Sequence, residues 1–422
     1  MAVWFAGVAL CLLMAGSAHA GTFVKGFTYE ASPLDDEGSA KALALEEAKG
    51  LLLDELSAQV KDLILCGYPI TGELTAALVA GVVSPGVIEG KWDGKTYHIG
   101  LRASLDIKET AEAVERLCKD SGRSNDLLKA RLKAESALRE VEGLKNKPFA
   151  SKDSYKKAIK ELSAAGWFQK GHALAYSGDL YEAVNAFGMS VELSPAYAEA
   201  YLGRGVAYFD SGRFKEALKD CNKAIELEPG YAEAYFHRGN CRYREGKFKR
   251  AIKDYDRAIG LNPRHTWAYS NRADTYGELG KSDRAIEDYN MAIAIDPDFS
   301  RAYHHRGNVF YNLGFIEQAA QDYDVTIELD PENVSAYYHR GLANGNLGRI
   351  RQALNDFTMA IKLRPAFAEA YLNRGIAYDE VGAYQSAMQD YQKAAELGLK
   401  DAVKLIEQRV AGGSEPVEEP YR

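Results

Sequence analysis

The residues best able to hold a partner recur at one spacing. Gln169, Gly203, His237, Asn271, His305, His339 and Asn373 follow each other at intervals of 34 residues. Imidazoles and amides both donate and accept hydrogen bonds, which suits an extended peptide with unpaired N–H and C=O groups. Near this column stand Asn240, Tyr243, Arg244, Trp267, Arg301, His304, Asn308, Tyr311 and Tyr338, whose aromatics offer stacking area at low entropic cost. Two further columns are ionic. Arg204, Arg238, Arg272, Arg306, Arg340 and Arg374 are each followed sixteen residues later by Asp220, Asp254, Asp288, Asp322, Asp356 and Asp390. One turn of the pattern lacks both partners, with Lys170 and Ala186 in their places. Joint presence and joint absence predict structural ion pairs; the alternative is an arginine ladder for a ligand.

Other chemistries find little support. The sequence carries no nucleophile elbow, phosphate-binding loop, metal-ligand cluster or spaced acid pair. A metal site needs about three converging ligands, whereas equivalent positions of neighbouring repeats lie on the order of 10 Å apart, like packed helices. The sequence therefore predicts neither enzyme nor cofactor nor metal. The net charge of −8, with both signs interspersed, argues against nucleic acid as the main partner.

The elements that must position these residues are set by proline. Pro195, Pro229, Pro263, Pro297, Pro331 and Pro365 recur every 34 residues, the mark of a helix-turn-helix solenoid. Numbering each unit so that its proline is position 32, seven units start at Ala164, Ala198, Ala232, Thr266, Ser300, Val334 and Ala368. Position 4 is aromatic throughout, position 8 is glycine or alanine, position 15 glycine, position 20 alanine, and position 24 aromatic apart from Cys221. The aromatic at 4 is expected to fill the interhelix core, the glycine at 15 to end helix A, and the aromatic at 24 to pack toward the next unit. These columns identify residues 164–401 as seven tetratricopeptide repeats.

That resemblance implies a concave face lined by the A helices. It would place His237, Asn240, Tyr243, Arg244, Trp267, Asn271, Arg301, His304, His305, Asn308, Tyr311, Tyr338, His339 and Asn373 in a peptide-binding groove. Position 6 is similar to the asparagine ladder of O-GlcNAc-transferase-type repeats. The carboxylate clamp of chaperone-binding repeats is half met: Asn240 and Asn271 match, Arg301 and His305 replace a lysine and an arginine, and Phe236 stands for the first lysine.

Around the array, residues 1–20 read as a secretory signal: an apolar run Val8 to Ala15, then Ala18-His19-Ala20, with no Lys or Arg before the run. Residues 21–120 read as a small α+β domain: a strand Thr22 to Glu30, helices over Gly38 to Leu65 and Thr71 to Val82, a hairpin Gly86 to Asp106 turning at Asp93-Gly94, and a helix Lys108 to Lys119. Through Ser39-Ala40-Lys41-Ala42 and the hairpin run Lys91 to Tyr97 it resembles N-terminal domains of exported bacterial envelope proteins, which implies docking or assembly. Residues 121–163 read as a helical spacer, packed on its own protein or serving a dimer, with a hinge at Pro148 and a lead-in helix Asp153 to Leu162. A cap helix at 402–411 and a disordered tail at 412–422 follow. Pairing of Cys66 with Cys118, or of Cys221 with Cys241, stays open. The expected fold is mainly α, a right-handed tetratricopeptide α-solenoid preceded by a small α+β domain. The expected role is an exported scaffold in a bacterial periplasm or envelope that takes an extended peptide or protein; the alternative is a glycan- or peptidoglycan-associated protein.

Overall fold

A computed structural model describes residues 20–60 apart from 33, 78–106 apart from 81 and 84, residues 110, 113 and 114, 121–145, and 152–412. The expected signal, the hinge with Pro148, Cys66, Cys118, the tail, and most of the expected helices over 71–82 and 108–119 lie outside the described residues. The chain divides into two compact bodies, Met1–Glu245 and Gly246–Arg422.

The first body opens with a three-stranded antiparallel sheet. Strand β1 (Ala20–Glu30) pairs with β3 (Thr96–Asp106) from Ala20↔Asp106 to Glu30↔Thr96, and β2 (Gly86–Trp92) pairs with the other edge of β3. Asp93 accepts from the backbone N–H of Lys95 and Thr96, and Gly94 takes φ 93°, so the hairpin turns where Asp-Gly predicts. Period-2 alternation sends Tyr97, Ile99, Leu101 and Ala103 to one face. There they meet Ala40, Leu43, Ala44, Ala48, Leu52 and Leu56 of helix α1 (Glu37–Val60). Asp36 caps α1, accepting from the Ser39 N–H at 2.9 Å. Asp35 instead accepts from Tyr29, from the Ser32 N–H and from Tyr155 of a later helix, tying the sheet to it.

Helix α2 (Ser121–Lys145) packs along α3 (Lys152–Tyr176). Its stripe of Leu127, Ala130, Ala137 and Val141 is buried within the chain, as the own-protein reading expects. Asp126 of α2 accepts from the Tyr231 hydroxyl at 2.6 Å, and burial raises its carboxyl to about 8. The expected lead-in helix and the first A helix are not separate. Only Ser163 stands between Leu162 and Ala164, nothing there breaks a helix, and α3 runs through.

Six helices complete the regular pattern of the first body and open that of the second. They are α4 (Leu180–Leu193), α5 (Ala198–Asp210), α6 (Phe214–Leu227) and α7 (Ala232–Arg244), then α8 (Phe248–Leu261) and α9 (Thr266–Glu278). The second body continues with α10 (Ser282–Ile295), α11 (Ser300–Asn312), α12 (Ile316–Leu329) and α13 (Val334–Asn346). It ends with α14 (Ile350–Leu363), α15 (Ala368–Glu380), α16 (Tyr384–Glu396) and α17 (Lys400–Gly412). Every position-15 glycine has φ between 68° and 85°, the left-handed cap that stops each A helix.

Within a unit the position-24 ring is the wedge. A β-carbon on Gly341 would meet Phe357 at 2.6 Å, and one on Gly375 would meet Tyr391 at 2.6 Å, so position 8 must stay small. Position 4 departs from expectation. Tyr201, Tyr303, Tyr337 and Tyr371 are only half-buried, with the arginine three residues on lying over each ring at 5.5–5.6 Å, whereas Tyr269, under Arg272 at 5.4 Å, is buried. Cys221 and Cys241 are buried free thiols, so the bridge between them is not formed.

The arginines of position 7 hold the array in register. Arg204, Arg272, Arg306, Arg340 and Arg374 each grip the aspartate of their own B helix, through Nε or a terminal nitrogen, at 2.6–3.2 Å. Several also reach back to position 25 of the preceding B helix: Arg272 to Asp256, Arg306 to Asn290, Arg340 to Asp324, Arg374 to Thr358, and in the first body Arg238 to Asn222. Arg238 lies in the first body and its expected partner Asp254, which is buried, in the second. Burial pushes the carboxyls of Asp288, Asp322 and Asp356 above the usual carboxylate range, and the arginine beside each pulls back only part of that rise. The bracket thus sets geometry more than it adds net stability.

Asp322→Ala leaves Arg306 in place without its carboxylate and is expected to cost about 3–5 kcal/mol. Replacing both Arg306 and Asp322 by leucine is expected to cost less, as read by urea unfolding followed by helical circular dichroism.

Candidate functional site

The second body brings most of the sequence-predicted groove residues onto three successive A helices. Trp267, Asn271 and Asp274 lie on α9, Arg301, His304, His305, Asn308 and Tyr311 on α11, and Tyr338 and His339 on α13. Helical periodicity puts positions 2, 5, 6, 9 and 12 on one face of an A helix.

Asp274, a groove position of unit 4 (position 9), is the hub of this face. Its carboxylate accepts from the Arg301 guanidinium at 2.6 Å, lies 3.0 Å from His305 Nδ1, and accepts from the Tyr289 hydroxyl of its own unit's B helix. Burial alone would raise its pKa; the His305 bond, the charges of His305 and Arg301 and the Tyr289 bond overcome that and hold it at about 2. A signal for it was present. Position 9 is Asp274 in unit 4 and Asn308 in unit 5, and Asn308 accepts in the same way from Tyr323 at 2.8 Å.

Arg301 also lies over the Trp267 ring at 5.4 Å, and that ring meets Phe299 edge-on at 4.8 Å. Trp267 is 47 % exposed, and Arg301 is 39 % exposed with its Nε buried and unbonded among the described residues. An indole and a guanidinium beside a fixed carboxylate form a shelf able to stack on a planar group and donate to a carbonyl or acid.

Beyond the shelf the wall is neutral. His304 Nε2 lies 3.2 Å from His339 Nδ1, so one ring donates to the other. His339 stacks on Tyr323 at 5.7 Å. Equivalent positions were expected to keep the histidines apart, but positions 5 and 6 are not equivalent, and successive units bring them together. Burial first, then the charges of His339, His305 and Arg301, lower His304 to about 3; burial lowers His339 as well. Tyr311 accepts from Asn346 at 2.6 Å and Tyr338 from Asn373 at 3.1 Å.

Asn373 is a correction. It is only 1 % exposed and its amide donates to Tyr338 and to the Glu369 carbonyl, so it props the wall from behind. Asp379, on the acidic side of the last unit, is likewise buried. It accepts from Tyr391 at 2.8 Å and pairs with Arg409 of α17 at 2.6 Å, so the cap helix seals that end. In the first body His237 packs edge-on against Phe236 at 5.0 Å, and the Arg244 guanidinium lies 5.0 Å from the Phe214 ring. Asn240 and Tyr243 share helix α7 with them. Among the described residues no three His, Cys, Asp or Glu side chains converge as a metal site, and no helix is long and apolar enough to cross a membrane.

Comparisons with known proteins agree with the helix-pair geometry. Models of the tetratricopeptide repeat match residues 198–231, 232–265, 254–287 and 345–402, and a TPR repeat model matches 171–212 and 273–314. Among solved structures, MamA is 29 % identical over 38 % of this chain and 94 % of its own, with a TM-score of 0.35. YrrB, described as a TPR protein with an unusual peptide-binding site, is 22 % identical over 45 % of this chain and 97 % of its own, TM-score 0.41. PilF of Pseudomonas aeruginosa is 16 % identical over 53 % and 98 %, TM-score 0.46. No curated protein matches the chain.

The buried histidine pair sets a pH dependence. A base held below its ordinary pKa of 6.5 stabilises the fold above that value and loses the contribution as pH falls toward 3. Lowering pH from 7 to 5 is expected to cost the array on the order of 1–2 kcal/mol. His304→Gln with His339→Gln should flatten that difference in urea unfolding measured at the two pH values.

Proposed function

We propose that this chain, whose residues 171–402 form an array of tetratricopeptide repeats, is a non-enzymatic scaffold that takes an extended peptide segment of a protein partner along the A helices of units 4 to 6. The observation that carries the reading is the exposed shelf of Trp267 and Arg301 fixed by Asp274, continued by the half-buried rings of Tyr311 and Tyr338. A peptide needs aromatic area for its side chains and fixed polar groups for its backbone, and this row supplies both. The position-7 arginines are engaged within the helix pairs, whereas Arg301, paired with Asp274, stays 39 % exposed with its Nε unbonded among the described residues and so offers a donor to a ligand.

The apolar, uncharged first 20 residues support export, and the likeness of the hairpin domain to envelope modules supports a place in a bacterial periplasm or envelope. The small domain then serves docking, with the array as the arm that holds the partner.

The test is selection of binders from a random-peptide library on the full chain, followed by affinity measurement. Trp267→Ala and Tyr338→Ala are each expected to weaken a selected peptide about tenfold or more, the effect of losing a buried aromatic anchor. Peptides that bind both variants like the parent chain would contradict the site. Soluble glycan fragments that bind, and are lost in these two variants, would favour the glycan reading.

A further inference from the structure

Unit 1 has no repeat before it; its A helix, the C-terminal part of α3, packs instead on α2 and on α1 of the small domain. In later units the position-7 arginine reaches back onto the preceding B helix. In unit 1 the position carries Lys170, and α1 of the small domain faces it. Helices α1 and α3 touch at Gly166, where a β-carbon would displace the Glu46 carboxylate. Around that contact a cavity of about 500 Å³ remains between α1, α3 and Ala80, Val83, Pro85 and Val87, within the roughly 300–1,000 Å³ of small-molecule sites.

Its walls are apolar: Ala42, Leu45 and Leu53 from α1, Val83 ahead of β2, Val87 in β2, and Trp167 from α3. Its charged lining has a cationic excess, beside the neutral Ser163 and Gln169. Lys41, Lys49 and Lys170 face one carboxylate, Glu46, which pairs with Lys49 at 2.9 Å. The Lys170 ammonium lies 4.9 Å from the Trp167 ring centroid. Among the described residues neither Lys41 nor Lys170 has a carboxylate partner, so two ammonium groups stand beside an aliphatic chamber.

We propose that this cavity binds an amphipathic anion, an aliphatic chain ending in a carboxylate, with the chain against Leu45, Leu53, Val83 and Trp167 and the acid between Lys41 and Lys170. The walls offer no row of donors and acceptors for a peptide backbone, and ammonium groups act on an anion as point charges without bidentate geometry. The site is separate from the proposed peptide groove and independent of it.

Calorimetric titration of the full chain with dodecanoate, below its micelle concentration, tests the assignment. Saturable binding of one equivalent is expected, with dodecanol at least tenfold weaker. Lys41→Glu with Lys170→Glu, two exposed positions unrelated to the core, should also weaken dodecanoate at least tenfold, and Ala42→Trp should abolish binding by filling the chamber. No saturable binding overturns the proposal. So does dodecanol binding as tightly as dodecanoate, or dodecanoate affinity unchanged in the double-lysine variant. A short apolar peptide with a free C-terminal carboxylate that binds more tightly than dodecanoate also overturns it.

Discussion

The array depends on a buried carboxylate placed sixteen residues after an arginine. A solenoid has no closed core. Each helix pair buries its apolar face only by stacking on its neighbour, and the stacking angle must be specified unit by unit. An aspartate on the B helix does this by drawing the position-7 guanidinium inward, where its planar fork engages two oxygens, as with Arg272 and Asp288. The same guanidinium extends its free nitrogen to the preceding B helix, as with Arg272 and Asp256, and lies over the tyrosine three residues before it. One side chain thus fixes the pair within a unit, the step between units, and an aromatic that would otherwise be loose. The small residue at position 8 and the ring at position 24 fill the space between; at Gly307, Gly341 and Gly375 the ring is too close to admit a methyl group, while unit 4 carries Ala273.

This arrangement decides where recognition can occur. With the position-7 arginines committed to the frame, the residues free to vary are those of the A helices that face away from it. In units 4 to 6 they form one charged anchor, Asp274 with Arg301, and a longer neutral wall of histidine, asparagine and tyrosine. The histidines are held uncharged by burial, so the wall attracts by hydrogen bonds and area, and the charge is concentrated beside Trp267. At the far end α17 closes the last unit through Arg409 and Asp379.

Much of this was legible in the sequence, for a physical reason: a repeat writes each constraint six or seven times. The glycine at 15 and the Arg and Asp columns could be read by comparing units. The second partner of each arginine was also written, sixteen residues upstream at Asn222, Asp256, Asn290, Asp324 and Thr358, but it belongs to the previous unit and a reading confined to one unit passes over it. Position 4 looked like core because tyrosine is large and apolar; in the fold most of these rings are half-buried under an arginine, and Tyr269 alone of the tyrosines there is buried. The meeting of His304 with His339 joins unlike positions of two units, so the period conceals it. Asn373 has a groove position but a buried side chain, a consequence of packing that spacing does not encode. The cavity beside Gly166 lies furthest from the sequence, because α1 and α3 meet there across more than a hundred residues.

The central claim is that the arginines divide into a structural set and one ligand-facing member. The most direct measurement is NMR of the arginine Nε–H and tryptophan indole resonances while the chain is titrated with a peptide selected on it. The account predicts that Trp267 and Arg301 shift in saturating fashion while Arg272, Arg306 and Arg340 stay in place. Shifts at the paired arginines, with Trp267 and Arg301 unmoved, would contradict it.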